Sequence, residues 1–142
     1  MSEVSSSCIF CRIAKGEIPS MKVFEDGTAL AFLDINPLSE GHALIIPKAH
    51  RERLDEMSAD EVAAIARHLP RLARAVLAAT GAVAYNVLQN NGKAAQQSVG
   101  HVHFHIIPRG EGDSLGYRWP AGSYPPGRGE ELRQKVVAAL GV

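Results

Sequence analysis

The chain has 142 residues, 46% of them hydrophobic and 21% charged, which fits one domain with a substantial core. Fifteen basic residues balance fifteen acidic ones, arguing against a nucleic-acid partner and against docking on an anionic membrane. No apolar run reaches membrane-spanning length, and "MSEVSSSCIF" lacks the basic start and apolar stretch of a secretory leader, so a cytoplasmic protein is expected.

The first signal in chain order is Cys8-x-x-Cys11. These are the chain's two cysteines, so no disulfide framework exists. The pair could be redox-active, half of a metal site, or two ordinary thiols. The thioredoxin-like βαβ context that a redox pair expects is absent. A zinc site needs two more ligands, and His50 and one later histidine are available.

"KVFEDGTALAFLDI" reads as a β-hairpin, with Asp26-Gly27 as a two-residue turn. "HALIIPKAH" holds an apolar run, Ala43 to Ile46, expected to form a strand buried on both faces. Ser58 opens a helix, with Glu61 completing a capping box. Val62, Ile65, Leu69, Leu72, Ala73, Val76 and Leu77 follow at helical spacing, and Gly81 ends the run. Pro70 inside this helix should kink it.

"AVAYNVLQNNG" reads as a fourth strand. A polar loop from Gly92 to Gly100 leads into "HVHFHIIPR". Nine of the twenty residues from Gly110 to Gly129 are Gly or Pro, giving a long irregular loop that carries Tyr117, Trp119 and Tyr124. A short helix over about 130–140 closes the chain. The expectation is one domain over 1–142, with a core from about 8 to 109 and an α+β class.

Side chains alternate between the faces of a strand, so His101, His103 and His105 share one face, about 6.5–7 Å apart at Cα. Val102, Phe104 and Ile106 share the other. A single histidine so placed would be unremarkable, but three in register ask for a role. Metal binding and phosphate chemistry both use imidazole. The preceding loop holds donors at Asn90, Gly92, Gln97 and Ser98 and no carboxylate, which suits a phosphate. Neither common nucleotide fingerprint, GxxxxGK[ST] nor GxGxxG, is present.

"HVHFHII" resembles the hallmark of the histidine triad family, a row of three histidines alternating with apolar residues. "CIFCRIAKGEIPS", "VFEDGTALAFLDINPLSEGHALIIPKAH" and "NVLQNNG" are similar to bacterial members of its nucleotide-binding branch, over roughly Cys8 to Arg109. The resemblance implies a five-stranded antiparallel sheet with one long helix and a short C-terminal helix, in a homodimer whose sheets join. It also implies a purine nucleotide hydrolase that cleaves at the α-phosphorus, best read as a nucleoside phosphoramidate hydrolase. A dinucleoside polyphosphate hydrolase is the alternative enzyme, and a nucleotide-binding protein with little turnover the alternative outside catalysis.

By the same resemblance, His103 attacks phosphorus to give a nucleotidyl-histidine, and His105 donates to a phosphate oxygen. Ser98 donates towards the leaving group, Gln97 contacts phosphate, and His42 supports the row from behind. Asp34 takes the ribose hydroxyls. Phe10, Ile13, Ile18, Phe32 and Ile35 wall the base, and Asn90 lies near sugar and phosphate. Cys8, Cys11, His50 and His101 correspond to the ligands of a structural zinc. Two departures stand out. Gln96 occupies a place where the family usually has glycine, and Gly100 one where a bulky residue is frequent.

Overall fold

The computed structural model describes residues 7–115 and 120–141, so Tyr117 and Trp119 lie outside the described residues. Its frame is a five-stranded antiparallel sheet: β1 (Met21–Glu25), β2 (Ala29–Leu33), β3 (Ala43–Pro47), β4 (Ala84–Gln89) and β5 (Phe104–Arg109), in the order β1-β2-β3-β5-β4. Helix α1 (Ile9–Ala14) lies before the sheet, α2 (Ala59–Ala66) and α3 (Leu69–Thr80) between β3 and β4, and α4 (Arg128–Leu140) at the end.

β3 is central, and every one of its residues is buried, as its unbroken apolar run requires. Alternation divides that run between two cores. Ala43 and Ile45 join Ala29, Ala31 and Ile106 against Ile65, Leu72, Ala73 and Val76 of the helices. The small alanines on the sheet let the helices approach closely. Leu44 and Ile46 turn the other way and join Leu30, Phe32 and Phe10. The face holding Phe32 and Leu44 also carries His105, because Leu44 pairs with both Phe32 and His105.

The helix expected to run from Ser58 to Gly81 is broken once. Ser58 Oγ accepts from Glu61 N and Glu61 Oε1 accepts from Ser58 N, forming the capping box. Pro70 sits at the second position of α3, where it has no N–H to donate to the Ala66 carbonyl, and α2 is separated from α3 at Arg67–His68. Gly81 ends α3 in the left-handed conformation, at φ 72°.

Two local readings change. The β1–β2 turn is shifted by one residue. Glu25 pairs with Leu30 and Asp26 N–H donates to Ala29 O at 3.0 Å, so Gly27-Thr28 rather than Asp26-Gly27 form the tip, and Asp26 Oδ1 also accepts from Thr28 N and Ala29 N. The pairing of β5 starts at Phe104 rather than His101. Ahead of it, Val102 N donates to Arg51 O at 2.7 Å, tying the histidine segment to the loop that carries His50. α1 was not expected from the sequence, since six residues are too few to show a period. It starts two residues past position 7 and buries Phe10 and Cys11.

Candidate active site and metal cluster

The candidate active face is assembled from β2, β3, β5 and the segment before β5. Asp34 N donates to His42 O, extending the β2–β3 ladder by one pair and setting Asp34 beside His42. Gly41 turns the chain just before, at φ +88°, where a β-carbon would also collide with the Thr80 methyl.

Hydrogen bonds fix the tautomers of the histidines in sequence. Leu38 N–H donates to His42 Nδ1 at 3.0 Å, so His42 carries its proton on Nε2. That Nε2–H faces His105 Nδ1 at 2.9 Å, so His105 carries its own proton on Nε2. His103 Nδ1 lies 2.7 Å from His101 O, which can only accept, so His103 Nε2 keeps a free lone pair. A nucleophilic nitrogen and an N–H donor thus stand on neighbouring rings, with centroids 4.8 Å apart.

Burial holds these rings neutral. It pushes His105 from the ordinary 6.5 down to about 4, with His103 and His42 adding repulsion against a second charge. Burial also lowers His103, against the upward pull of its bond to the His101 carbonyl. His42 is lowered by burial in the same way, opposed by Asp34. Phe10 from α1 presses its ring against His103 at 5.1 Å between centroids, nearly perpendicular, and closes that side to water.

His103 and His105 line one end of a cavity of about 380 Å³. Ser98 stands with them, Asp34 lies along the wall, and Phe10, Ile13, Ile18, Phe32 and Ile35 supply apolar surface. Asp34 Oδ1 accepts from Asn36 N at 2.8 Å, which orients the carboxylate. The sequence reading overlooked Ile9, Leu44 and Val99, which also line this cavity. Their apolar character alone gives no signal that separates pocket from core.

Gln97 and Asn90 lie outside that lining. Gln97 Oε1 accepts from Gly92 N at 2.7 Å, and its Nε2 donates to Glu52 O at 2.7 Å. Its amide closes the 92–97 loop and ties it to residue 52. Gln96, at the turn of that loop, is the one non-glycine residue with positive φ among those described, at 68°.

A second cluster lies behind the row. The donor atoms of Cys8, Cys11, His50 and His101 all fall within 4.8 Å of one another. His101 Nε2 donates to Pro47 O at 2.8 Å, so its Nδ1 lone pair points into the cluster. That Nδ1 lies 3.3 Å from Cys8 Sγ, 3.5 Å from Cys11 Sγ and 3.3 Å from His50 Nδ1. A tetrahedral zinc with ordinary bond lengths separates its ligand atoms by roughly 3.3–3.8 Å. The four residues fit a metal ion in both donor chemistry and spacing.

The HIT domain profile matches residues 15–112, more than half of the chain. The chain belongs to the HIT family. It is 50% identical over 137 residues to the adenosine 5'-monophosphoramidase hnt1 of Schizosaccharomyces pombe, covering 92% of this chain and 98% of that protein. It also matches the crystal structure of a histidine triad nucleotide-binding protein from Candida albicans at a TM-score of 0.84 and 42% identity, over 95% of this chain and 98% of the other. A zinc-bound HIT protein from Mycobacterium smegmatis matches at a TM-score of 0.73 and 39% identity, over 94% and 95% of the two chains. This HIT protein therefore stands with the nucleotide-binding branch. No helix among the described residues is long and apolar enough to cross a membrane.

Proposed function

We propose that this protein hydrolyses purine nucleoside 5'-phosphoramidates, releasing a nucleoside monophosphate and an amine. The observation that carries the reading is the pair of fixed tautomers: His103 offers an unprotonated Nε2 and His105 a protonated one, in one nucleotide-sized apolar cavity. The activity named for the Schizosaccharomyces pombe relative supports the same chemistry.

His103 Nε2 attacks the α-phosphorus while its Nδ1–H stays on the His101 carbonyl, which stabilises the charge that develops on the ring. His105 Nε2–H donates to a non-bridging oxygen as negative charge accumulates there. The phosphorus–nitrogen bond to the leaving amine breaks, and that nitrogen gains a proton from solvent relayed through the Ser98 hydroxyl. Water then attacks the nucleotidyl-histidine. The bond to His103 breaks, the imidazole regains its lone pair, and the monophosphate departs. Asp34 accepts from the ribose hydroxyls. Phe10, Ile13, Ile18, Phe32 and Ile35 hold the base. Gln97 acts through the backbone of the loop that carries Ser98, and Asn90 stands at the foot of the same loop.

Cys8, Cys11, His50 and His101 are assigned to a structural zinc, which would clamp α1 to the histidine segment without touching substrate. The family resemblance further supports a homodimer. β4 is an edge strand that leaves Tyr85, Val87 and Leu88 at 41%, 47% and 40% exposure, an apolar edge suited to a second copy.

The deciding experiment is turnover of an adenosine 5'-phosphoramidate by wild type and by His103→Ala. We expect the variant to fold, bind AMP and lose at least a thousandfold in kcat/KM. A variant that keeps wild-type turnover removes His103 from the mechanism. A wild type that prefers a diadenosine polyphosphate transfers the assignment to that substrate class.

A further inference from the structure

A second cleft opens on the far side of Ser98. It has a volume of about 460 Å³ and is lined by Ser7, Cys8, Ile9, His50, Glu52, Ser98, Val99 and Gly100. It shares Ile9, Ser98 and Val99 with the nucleotide cavity, so the two meet at the serine assigned to the leaving group. With Ser98 facing the leaving group, this cleft is the space beside that group.

The chemistry of the cleft is acidic. Glu52 is the one carboxylate in its lining, which contains no lysine or arginine. Among the described residues no cation pairs with the Glu52 side chain. Its backbone is fixed on both sides: N–H donates to Glu56 Oε1 at 3.1 Å, and C=O accepts from Gln97 Nε2 at 2.7 Å. The same Gln97 amide closes the loop leading to Ser98, so carboxylate and serine are positioned by one shared contact.

Glu52 is exposed, and Gly100 leaves the cleft-facing flank of its side chain uncovered. Its backbone does not require glycine, since its φ is not in the left-handed region. A β-carbon there would lie 3.8 to 4.0 Å from Glu52 Cγ, Oε1 and Cδ, in ordinary contact. A small side chain would fit, and a bulky one would cover the carboxylate.

We infer that Glu52, left uncovered beside Gly100, forms a leaving-group subsite selecting phosphoramidates whose departing amine carries a second, cationic group. The inference rests on the phosphoramidate hydrolase reading and names its substrate class. Selection operates in the first step only, because the amine has left before water attacks the nucleotidyl-histidine. It therefore shows in kcat/KM and not in a kcat limited by the second step.

The test uses two adenosine 5'-phosphoramidates of matched size, one N-linked to a 2-aminoethyl group and one to a propyl group. The measured quantity is the ratio of their kcat/KM values in wild type, Glu52→Gln and Gly100→Phe. Comparing ratios between variants cancels the intrinsic difference between the two amines as leaving groups. The expected result is a fall of about 1.4-fold to fivefold in the cationic-to-neutral ratio on Glu52→Gln, the range of an exposed ion pair. Gly100→Phe should lower the ratio in the same direction, and added salt should shrink the wild-type value. An unchanged ratio in Glu52→Gln overturns the subsite while leaving the hydrolase reading intact. A wild type that turns over neither substrate defeats that underlying reading and this one with it.

Discussion

At the scale of single residues, the site depends on where protons sit. The Leu38 N–H, His42 and His105 form a chain in which each partner dictates the next tautomer. His42→Leu removes both bonds at similar volume and frees His105 to reverse its ring protonation. The expected effect is a fall of about tenfold to a hundredfold in the single-turnover rate, with AMP affinity changed far less. The orphaned Leu38 N–H should add a stability loss of about 1–2 kcal/mol in chemical denaturation. A variant with unchanged rate would show that His105 keeps its tautomer unaided. The alternation of "HVHFH" made the neighbouring rings of His103 and His105 legible in the sequence, whereas His101 precedes the paired strand and turns to the cysteines. The bonding of Gln97 was not legible, because its partner at Glu52 lies 45 positions away and is brought near only by the packed fold.

At the scale of elements, local chemistry that closes on itself could be read directly. The capping box of Ser58 and Glu61, the break at Pro70 and the doubly buried β3 each follow from a few adjacent residues. The tip of the β1–β2 hairpin lies at Gly27-Thr28, one residue later than the sequence suggests, because the Asp26 side chain also bonds Thr28 N and Ala29 N and holds Asp26 at the strand end. Glycines at two element boundaries give a graded prediction. Gly81→Ala forces a left-handed alanine at an open helix end and should cost about 1 kcal/mol. Gly41→Ala combines a positive φ with a collision against Thr80 and should cost roughly 2–3 kcal/mol. It should also lower turnover, because the strain falls beside His42. Urea midpoints for the two variants check the order, and equal losses would show that Thr80 yields without cost.

At the scale of the whole molecule, both ends of the histidine segment are anchored, one to the cysteine cluster and one to the sheet. Cys11→Ser should release bound metal and lower the melting temperature by several degrees, whereas His103→Ala should keep the full metal content by elemental analysis. The buried histidines also set how stability depends on pH. His105 has a folded value of about 4 against 6.5 when unfolded. Between those values the unfolded chain binds more protons than the folded one, so stability is fully present above about pH 6.5 and falls as pH drops towards 4. The acidic groups contribute in a lower window. Glu25 is held down to about 2 by hydrogen bonds from Lys22 and Lys48, and Asp26 to about 2 mainly by the Thr28 and Ala29 N–H groups. Their stabilisation is lost only from about pH 4.5 downwards, and screening at the exposed Glu25 reduces its share. A urea midpoint followed from pH 7 to 5 therefore isolates the histidine contribution. The expected curve falls across that range in wild type and more gently in His105→Gln. Identical slopes in the two proteins would mean that His105 does not remain neutral and buried in the folded state.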